Sequence, residues 1–493
     1  MSGLLVAGTT SDAGKSLVTA GICRWLARRG VRVAPFKSQN MSNNSMVCAD
    51  GAEIGRAQWL QARAARVEPE AAMNPVLLKP GSDRRSHVIA LGKPFGTLDA
   101  GEYATGRAGL AEIAFGAFED LSSRFDVVVC EGAGSPAEIN LRGGDYVNLG
   151  LARRFSLPVV VVGDIDRGGV LAAMFGTLAL LSPEDQALVA GWVVNKFRGD
   201  VGLLRPGLKS LEDVTGRPVL GVLPWLDRVW LDSEDALAAA GWRHEAPRGG
   251  GLRVAVVRFP RASNATDVDA LAAEPGLTVS LTADPDTVAA ADLVVLPGSR
   301  ATVDDLRWLR ERGLADAVTA RAAAGRPVLG ICGGYQMLAT TIHDDVESRA
   351  GTVDGLGLLP TDVTFAGEKV LGRPVGEWRG HRVHAYEIHH GTASGTAEES
   401  FLDGFRVGSV WGTTWHGAFE NDGFRRAWLM EVAAQSGVDW TPAPDAPGFA
   451  ALREDMLERL ADAVESEVDT RQLLRLLENG APDGLPFVPP GAP

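Results

Sequence analysis

The chain has 493 residues and a formal net charge of −14, with 45% hydrophobic and 22% charged residues. That length predicts two to four domains, each able to bury a core, and the composition excludes a disordered polymer. The acidity argues against nucleic acid and anionic lipid as general partners, and no apolar run reaches the roughly 18–20 residues of a membrane span.

The opening, "MSGLLVAGTTSDAGKS", has no basic n-region and runs straight into a glycine turn, so it is not read as a signal peptide. The four cysteines (Cys23, Cys48, Cys130, Cys332) are widely spaced and form no C-x-x-C. That pattern fits a reduced, cytoplasmic chain and argues against a disulfide framework or a zinc site.

In chain order, β-rich runs recur through the first half: "GLLVAG", "VRVAPFK", "DVVVCEG", "PVVVVGD", "GWVVNK" and "PVLGVLP". Helical patterns separate several of them; after the first run, Val18, Ile22, Trp25 and Leu26 share one helical face. Near-continuous Val/Leu strands alternating with helices predict an α/β fold with a parallel sheet covered on both faces. Residues 231–250, ending in Arg-Gly-Gly, read as a linker. A second α/β series follows in "LRVAVVRF", "LVVLPG", "PVLGIC" and "GSVWGTTWHG". The expected organisation is a first α/β domain at 1–230, a second at 251–435, and a C-terminal extension at 436–493. In that extension Phe449, Leu452, Met456, Leu457, Leu460 and Val464 recur at helical spacing. The last stretch, "GAPDGLPFVPPGAP", is Pro/Gly-rich and expected to be loose.

"AGTTSDAGKS" closes the first strand and opens the first helix. Backbone N–H groups of such a turn, with the helix N-terminus, cradle phosphate oxygens. Thr9, Thr10, Asp12, Ala13, Gly14, Lys15 and Ser16 are the candidates, with Lys15 neutralising the β- and γ-phosphates and Ser16 ligating Mg²⁺. Five residues separate Gly8 from Gly14, one more than in the usual P-loop. Glu131 ends a buried strand on the ligand side of the sheet and is a candidate metal carboxylate. Asp164 and Asp166 are weaker ones, since a strand-end carboxylate serves equally well as a helix cap. Asn195, at the end of another strand, either reads an adenine edge or is an ordinary loop residue. "KSQNMSNNS" offers Lys37, Gln39, Asn40, Ser42, Asn43 and Asn44, neutral donors and acceptors after one lysine. They suit a face that holds carboxylates and amides alike, or else a turn segment.

"GICGG" fits glycine–x–nucleophile–x–glycine, a strained strand-to-helix elbow that presents Cys332. The turn "LPGSR" places backbone N–H groups near Gly298; with Gly333 these are candidate oxyanion donors. His416, closing a β-like run, is the candidate base. Cys23, Cys48 and Cys130 read as structural. The cluster of His381, His384, His389 and His390 lacks a zinc-ligand spacing and reads as packing and loop contacts.

The five-residue gap in the phosphate loop resembles the dethiobiotin-synthetase-like branch of P-loop enzymes, which often activate carboxylates with ATP. "GICGGYQML" resembles the elbow of class I glutamine amidotransferases. That likeness implies Cys332 as nucleophile, His416 as base and Gln336 as a glutamine contact. The usual H-x-E is absent, because position 418 is Ala. A missing third member marks the cobyrinic and cobyric acid synthase branch. "FKSQNMSNNSMV", "EGAGSPAEINLRGGDYVNLGLA", "GDIDRGGV", "VNKFRGD", "RASNATDVDAL" and "YEIHHG" resemble that family on its cobyric acid side, over nearly the whole chain. The resemblance implies a ligase using ATP, Mg²⁺ and glutamine to amidate the b, d, e and g carboxylates of adenosylcobyrinic acid a,c-diamide. Two alternatives stay open: another carboxylate acceptor, or a switch ATPase of the deviant P-loop type.

Overall fold

The computed structural model describes residues 2–82, 85–99, 107–227, 229, 251–396 and 399–491. Its contacts divide the chain into two compact units, one of residues 1–42, 48–229 and 454–493, the other of residues 43–47 and 230–453. The expected linker at 231–250 lies outside the described residues.

The first unit is built on a six-stranded sheet. Its order is Val219–Pro224, Val189–Phe197, Val159–Asp164, Ser2–Gly8, Val127–Glu131 and Val33–Phe36, and every pairing is parallel. The central strands are buried at every position, which is why their sequence shows no alternation. Their carboxyl ends align Gly8, Glu131 and Asp164 along one edge, the edge where ligands sit in open α/β sheets. A smaller mixed sheet of Gln39–Met41, Val76–Ser82, Arg85–Ala90 and Lys93–Asp99 lies in the same unit. Its strands mix apolar runs such as Val76–Leu78 with Pro, Gly and charged residues, which gave the sequence little periodicity to read.

Of the C-terminal extension expected at 436–493, residues 454–493 belong to the first unit. Helix Phe449–Glu467 lays its later turns on the first helix, Lys15–Arg28, with the Leu460 carbonyl where a Cβ on Gly21 would fall. Arg24, itself buried, pairs with Glu454 at 2.5 Å. Leu473, Leu476 and Leu477 of helix Thr470–Asn479 are buried. The Pro/Gly-rich tail expected to be loose is tied down, since Gln186 and Val488 exchange two hydrogen bonds of 2.8 Å.

The second unit carries a seven-stranded sheet. Leu277–Thr282, Leu252–Val257, Leu293–Leu296, Val328–Ile331 and Val410–Thr413 run parallel, and Gly404–Val407 and Glu399–Phe401 extend the sheet antiparallel. A four-stranded sheet containing Thr361–Gly372 and Glu387–Gly395 packs within the same unit. The core gathers Val257, Leu296, Leu306, Val328, Tyr335 and Leu338 on one side of the main sheet. No helix among the described residues is long and apolar enough to cross a membrane.

Candidate active sites

In the first unit the turn after Ser2–Gly8 wraps around Lys15. The Lys15 ammonium donates to the carbonyls of Thr10 and Ser11 at 2.9 Å and of Gly134 at 3.2 Å. Carbonyls thus hold the charge centred over the loop, where a phosphate would meet it. Gly14 sits at φ +92°, a region that costs L-residues strain, and a Cβ there would fall 2.2 Å from Asn195 Nδ2. Asn195 Nδ2 donates to the Ala13 carbonyl at 2.9 Å, which leaves Oδ1 as an acceptor. Beside it, Leu17, Val18, Leu223, Pro224 and Trp225 line an apolar pocket. Apolar walls thus stand beside one fixed amide.

Ser16 Oγ donates to Glu131 Oε1 at 2.8 Å, so two candidate metal ligands meet. Asp12 lies in the loop paired with Arg167 at 2.5 Å. Asp164 accepts from Lys196 at 2.8 Å, and Asp166 lies 3.6 Å from Arg198. Both aspartates therefore serve ion pairs in this structure, and neither is brought onto Ser16. Among the described residues no group of three or more His, Cys, Asp or Glu side chains could hold a metal ion, the histidine cluster included.

Lys37 turns inward. Its ammonium donates to Glu131 Oε1 at 2.8 Å, with both side chains buried. Burial pushes the Glu131 carboxyl up, and the Lys37 charge overrides it to hold the group below its ordinary range. Two residues that the motifs did not single out complete this cluster. Gln61 Nε2 donates to Glu131 at 2.5 Å and Gln58 Nε2 at 3.5 Å, both from helix Arg56–Ala64. The other end of each amide, Oε1, is buried without a partner. Two orphaned acceptors beside a carboxylate and a serine hydroxyl fit a hydrated divalent cation such as Mg²⁺. The available signal was two glutamines three apart on a short helix. The remaining polar segment is less open than expected: Gln39, Asn40, Ser42 and Asn44 are buried, Asn43 half-buried, and Gln39 accepts from Tyr146 at 2.5 Å.

In the second unit strand Val328–Ile331 ends at Cys332, which caps the short helix Gly333–Met337 with φ +50° and ψ −109°. A non-glycine residue held there costs about 1–3 kcal/mol, and such strain is characteristic of a nucleophile elbow. The Cys332 N–H donates to Thr413 at 2.8 Å, and its carbonyl accepts from Gln336 at 2.9 Å, so both flanks are fixed. The turn at Gly298 lies beside the elbow and His416. A Cβ on Gly298 would sit 3.1 Å from His416 Cε1, and one on Gly333 would fall 2.7 Å from the Ser299 nitrogen. Gln336 is committed at both ends of its amide, accepting from Thr302 at 3.0 Å and donating to the Gly391 carbonyl at 3.1 Å. In this geometry it braces the wall of the site.

The orienting group absent from position 418 comes from far upstream. Asp267, inside "RASNATDVDAL", holds His416 Nδ1 at 2.6 Å through Oδ2 and accepts the Gly417 N–H at 2.7 Å through Oδ1. The sequence reading missed it because the usual signal lies two residues after the histidine. His416 Nε2 is buried without an oxygen or nitrogen partner, and the Cys332 sulfur acts on the same ring. Burial pushes the imidazolium toward deprotonation. The negative charges of Asp267 and Cys332 outweigh burial and raise the His416 pKa to about 10 from 6.5. Tyr386 stacks on the imidazole at 5.3 Å and exchanges two backbone hydrogen bonds with His416. Cys332 is 5% exposed. Burial pushes the thiols of Cys23 and Cys130 well up, which leaves them unreactive.

Comparison with known proteins matches these two sites in order. Residues 4–237 match the CobQ/CobB/MinD/ParA nucleotide binding domain, and residues 253–424 the CobB/CobQ-like glutamine amidotransferase domain. A cobyric acid synthase of Cutibacterium acnes is 62% identical over 97% of this chain and 100% of its own length. Those of Streptomyces avermitilis and Mycolicibacterium gilvum are 62% and 60% identical over 100% of this chain and 99% and 100% of their own. With identity of that order end to end, the chain belongs to the cobyric acid synthase family of glutamine-dependent amidotransferase ligases.

Proposed function

We propose that the chain converts the b, d, e and g carboxylates of adenosylcobyrinic acid a,c-diamide to amides, spending one ATP and one glutamine on each. The observation that carries this reading is the pairing, in one chain, of a phosphate loop whose serine meets a buried carboxylate with a thiol elbow whose histidine is anchored by Asp267. A carboxylate cannot be displaced by an amine without a leaving group, so the two sites supply the two halves of one amide bond.

In the first unit, a substrate carboxylate oxygen attacks the γ-phosphorus of ATP, giving an acyl phosphate and ADP. Lys15 and the loop N–H groups hold the phosphates in line, and Asn195 with its apolar pocket holds the base. When bound, Mg²⁺ would be held by Ser16 and Glu131 and would supply charge neutralisation at the phosphates. Lys37 keeps Glu131 ionised. In the second unit, the Cys332 sulfur attacks the side-chain carbonyl carbon of glutamine. The oxyanion takes N–H groups near Gly298 and from Gly333. The C–N bond breaks as His416 gives its proton to the departing nitrogen, leaving a thioester and ammonia. Water then cleaves the thioester to glutamate, restoring the thiol. Ammonia attacks the acyl phosphate carbon and phosphate leaves.

The test is mass spectrometry of cobyrinic acid a,c-diamide incubated with the protein, ATP, Mg²⁺ and glutamine. Stepwise carboxylate-to-amide conversion is the expected result. Glutamine hydrolysis and ATP turnover with no change in the corrinoid would mean that the acceptor is a different acid.

A further inference from the structure

Strand Glu387–Gly395 carries a side chain that the chemistry above leaves unused. His389 is 9% exposed, yet neither of its ring nitrogens has a hydrogen-bond partner. Glu387 Oε2 lies 3.6 Å from Nε2, too far for a normal bond. A buried polar group left open costs roughly 1–3 kcal/mol, so such a group calls for a partner: a water, an ion or a ligand.

Its position says which ligand. Side chains alternate along a strand, so Glu387, His389 and Gly391 share one face. That face abuts the elbow, because a Cβ on Gly391 would fall 2.7 Å from Gln336 Nε2 and the Gly391 carbonyl accepts from the same amide. Ile388 packs instead with Val47 and Tyr386. The His389 ring feels the charges of Glu387, Asp403 and His416, and Asp403 is the acceptor for Thr413 and Thr414, just upstream of His416. Burial holds the ring below its ordinary pKa, which keeps a lone pair available. With two carboxylates near its imidazole, this face of the strand repels a carboxylate and accepts N–H donors.

We propose that His389 and Glu387 form the recognition site for an ammonium group beside the elbow, and that this group is the α-ammonium of the glutamine whose amide Cys332 attacks. The inference rests on the reading of Cys332 as the glutaminase nucleophile. Free ammonium released in the reaction shares the same chemistry, and the experiment separates the two.

Glutamine hydrolysis is compared with hydrolysis of glutaramate, the same amide without its α-amino group, for the full-length protein and for Glu387→Gln and His389→Leu. ATP-dependent amidation with free ammonia checks that each variant is folded, and Glu387→Gln, changed at a partly exposed side chain, serves if His389→Leu fails that check. The unaltered protein should prefer glutamine. The variants should lose about 10–100-fold in kcat/KM for glutamine through KM, at near-constant kcat, the cost of one charge-assisted hydrogen bond. Glutaramate hydrolysis should stay as it was, so the preference collapses. A preference that survives in the folded variants overturns the proposal. A fall in kcat common to both amides assigns the pair to released ammonium and overturns the glutamine assignment. An unaltered protein that hydrolyses neither amide, while still amidating with ammonia, overturns the nucleophile reading and this inference with it.

Discussion

His416 and Asp267 stand 149 residues apart in the chain and 2.6 Å apart in the fold. The carboxylate fixes which imidazole nitrogen faces it and so turns the other toward the thiol. It takes the place of the acid that related elbows carry two residues after the histidine. Asp267→Asn keeps the shape and removes the charge. Glutaminase kcat should fall by about 10²–10⁴-fold, as when a base is left in the wrong tautomer, while amidation with free ammonia continues at its former rate. Equal loss of both activities would place Asp267 in the scaffold alone.

The same pair sets a pH dependence. The His416 pKa is raised by the fold from 6.5 to about 10. Its charged form therefore contributes stability fully below pH 6.5, and that contribution is lost as pH rises through about 10. Glutaminase activity should hold level across neutral pH and decline as His416 loses its proton. In Asp267→Asn this alkaline limb should move to lower pH. A pH–rate profile of both proteins checks the shift.

Cys332→Ala should abolish glutamine hydrolysis by at least about 10³-fold and leave ammonia-supported amidation intact. Cys23→Ala and Cys130→Ala should affect folding before chemistry, since both thiols are fully buried in the first unit. Steady-state rates with glutamine and with ammonium chloride measure the difference.

Gly14→Ala tests the loop of the other unit. The substitution meets a φ of +92° and the Asn195 amide 2.2 Å from the new methyl. Strain alone costs roughly 1–2 kcal/mol. The KM for ATP should rise by about tenfold or more, and glutamine hydrolysis should not change. An unaltered ATP dependence would show that nucleotide does not use this turn.

Glu131→Gln removes one half of a buried ion pair. It leaves the Lys37 ammonium buried opposite a neutral amide, and breaking such a pair typically costs about 3–5 kcal/mol. Thermal unfolding should show a large drop, and Mg²⁺-dependent ATP binding by calorimetry should weaken. A variant as stable as the parent that still binds Mg²⁺ and ATP would remove Glu131 from the metal site.

Much of this was legible in the residues because the physics is local. Unbroken runs of valine announced buried parallel strands. Glycines around Lys15 and Cys332 announced turns that leave little room for a Cβ, and a Cβ on Gly298 would sit 3.1 Å from His416 Cε1. What escaped was non-local. Asp267, on the turn Ala265–Val268, meets His416 only once the sheet has set Leu252–Val257 and Val410–Thr413 with two strands between them. Gln58 and Gln61 reach Glu131 from a helix whose sequence gives no hint of what it faces. The sequence reads Lys37 with the polar segment that follows it, as part of a face for carboxylates and amides. Its burial depends on Glu131, 94 residues on. The C-terminal helix showed its apolar stripe plainly, but a stripe does not say against which partner it packs.

The return of residues 454–493 to the first unit has a consequence for biosynthesis on the ribosome. The first unit cannot be completed until residues 454–493 have left the exit tunnel, whereas the inserted glutaminase body, residues 43–47 and 230–453, has all its parts earlier. The nascent protein would thus hold an ammonia source ready before its ATP-using half is whole, and shortening the tail would injure the half encoded first.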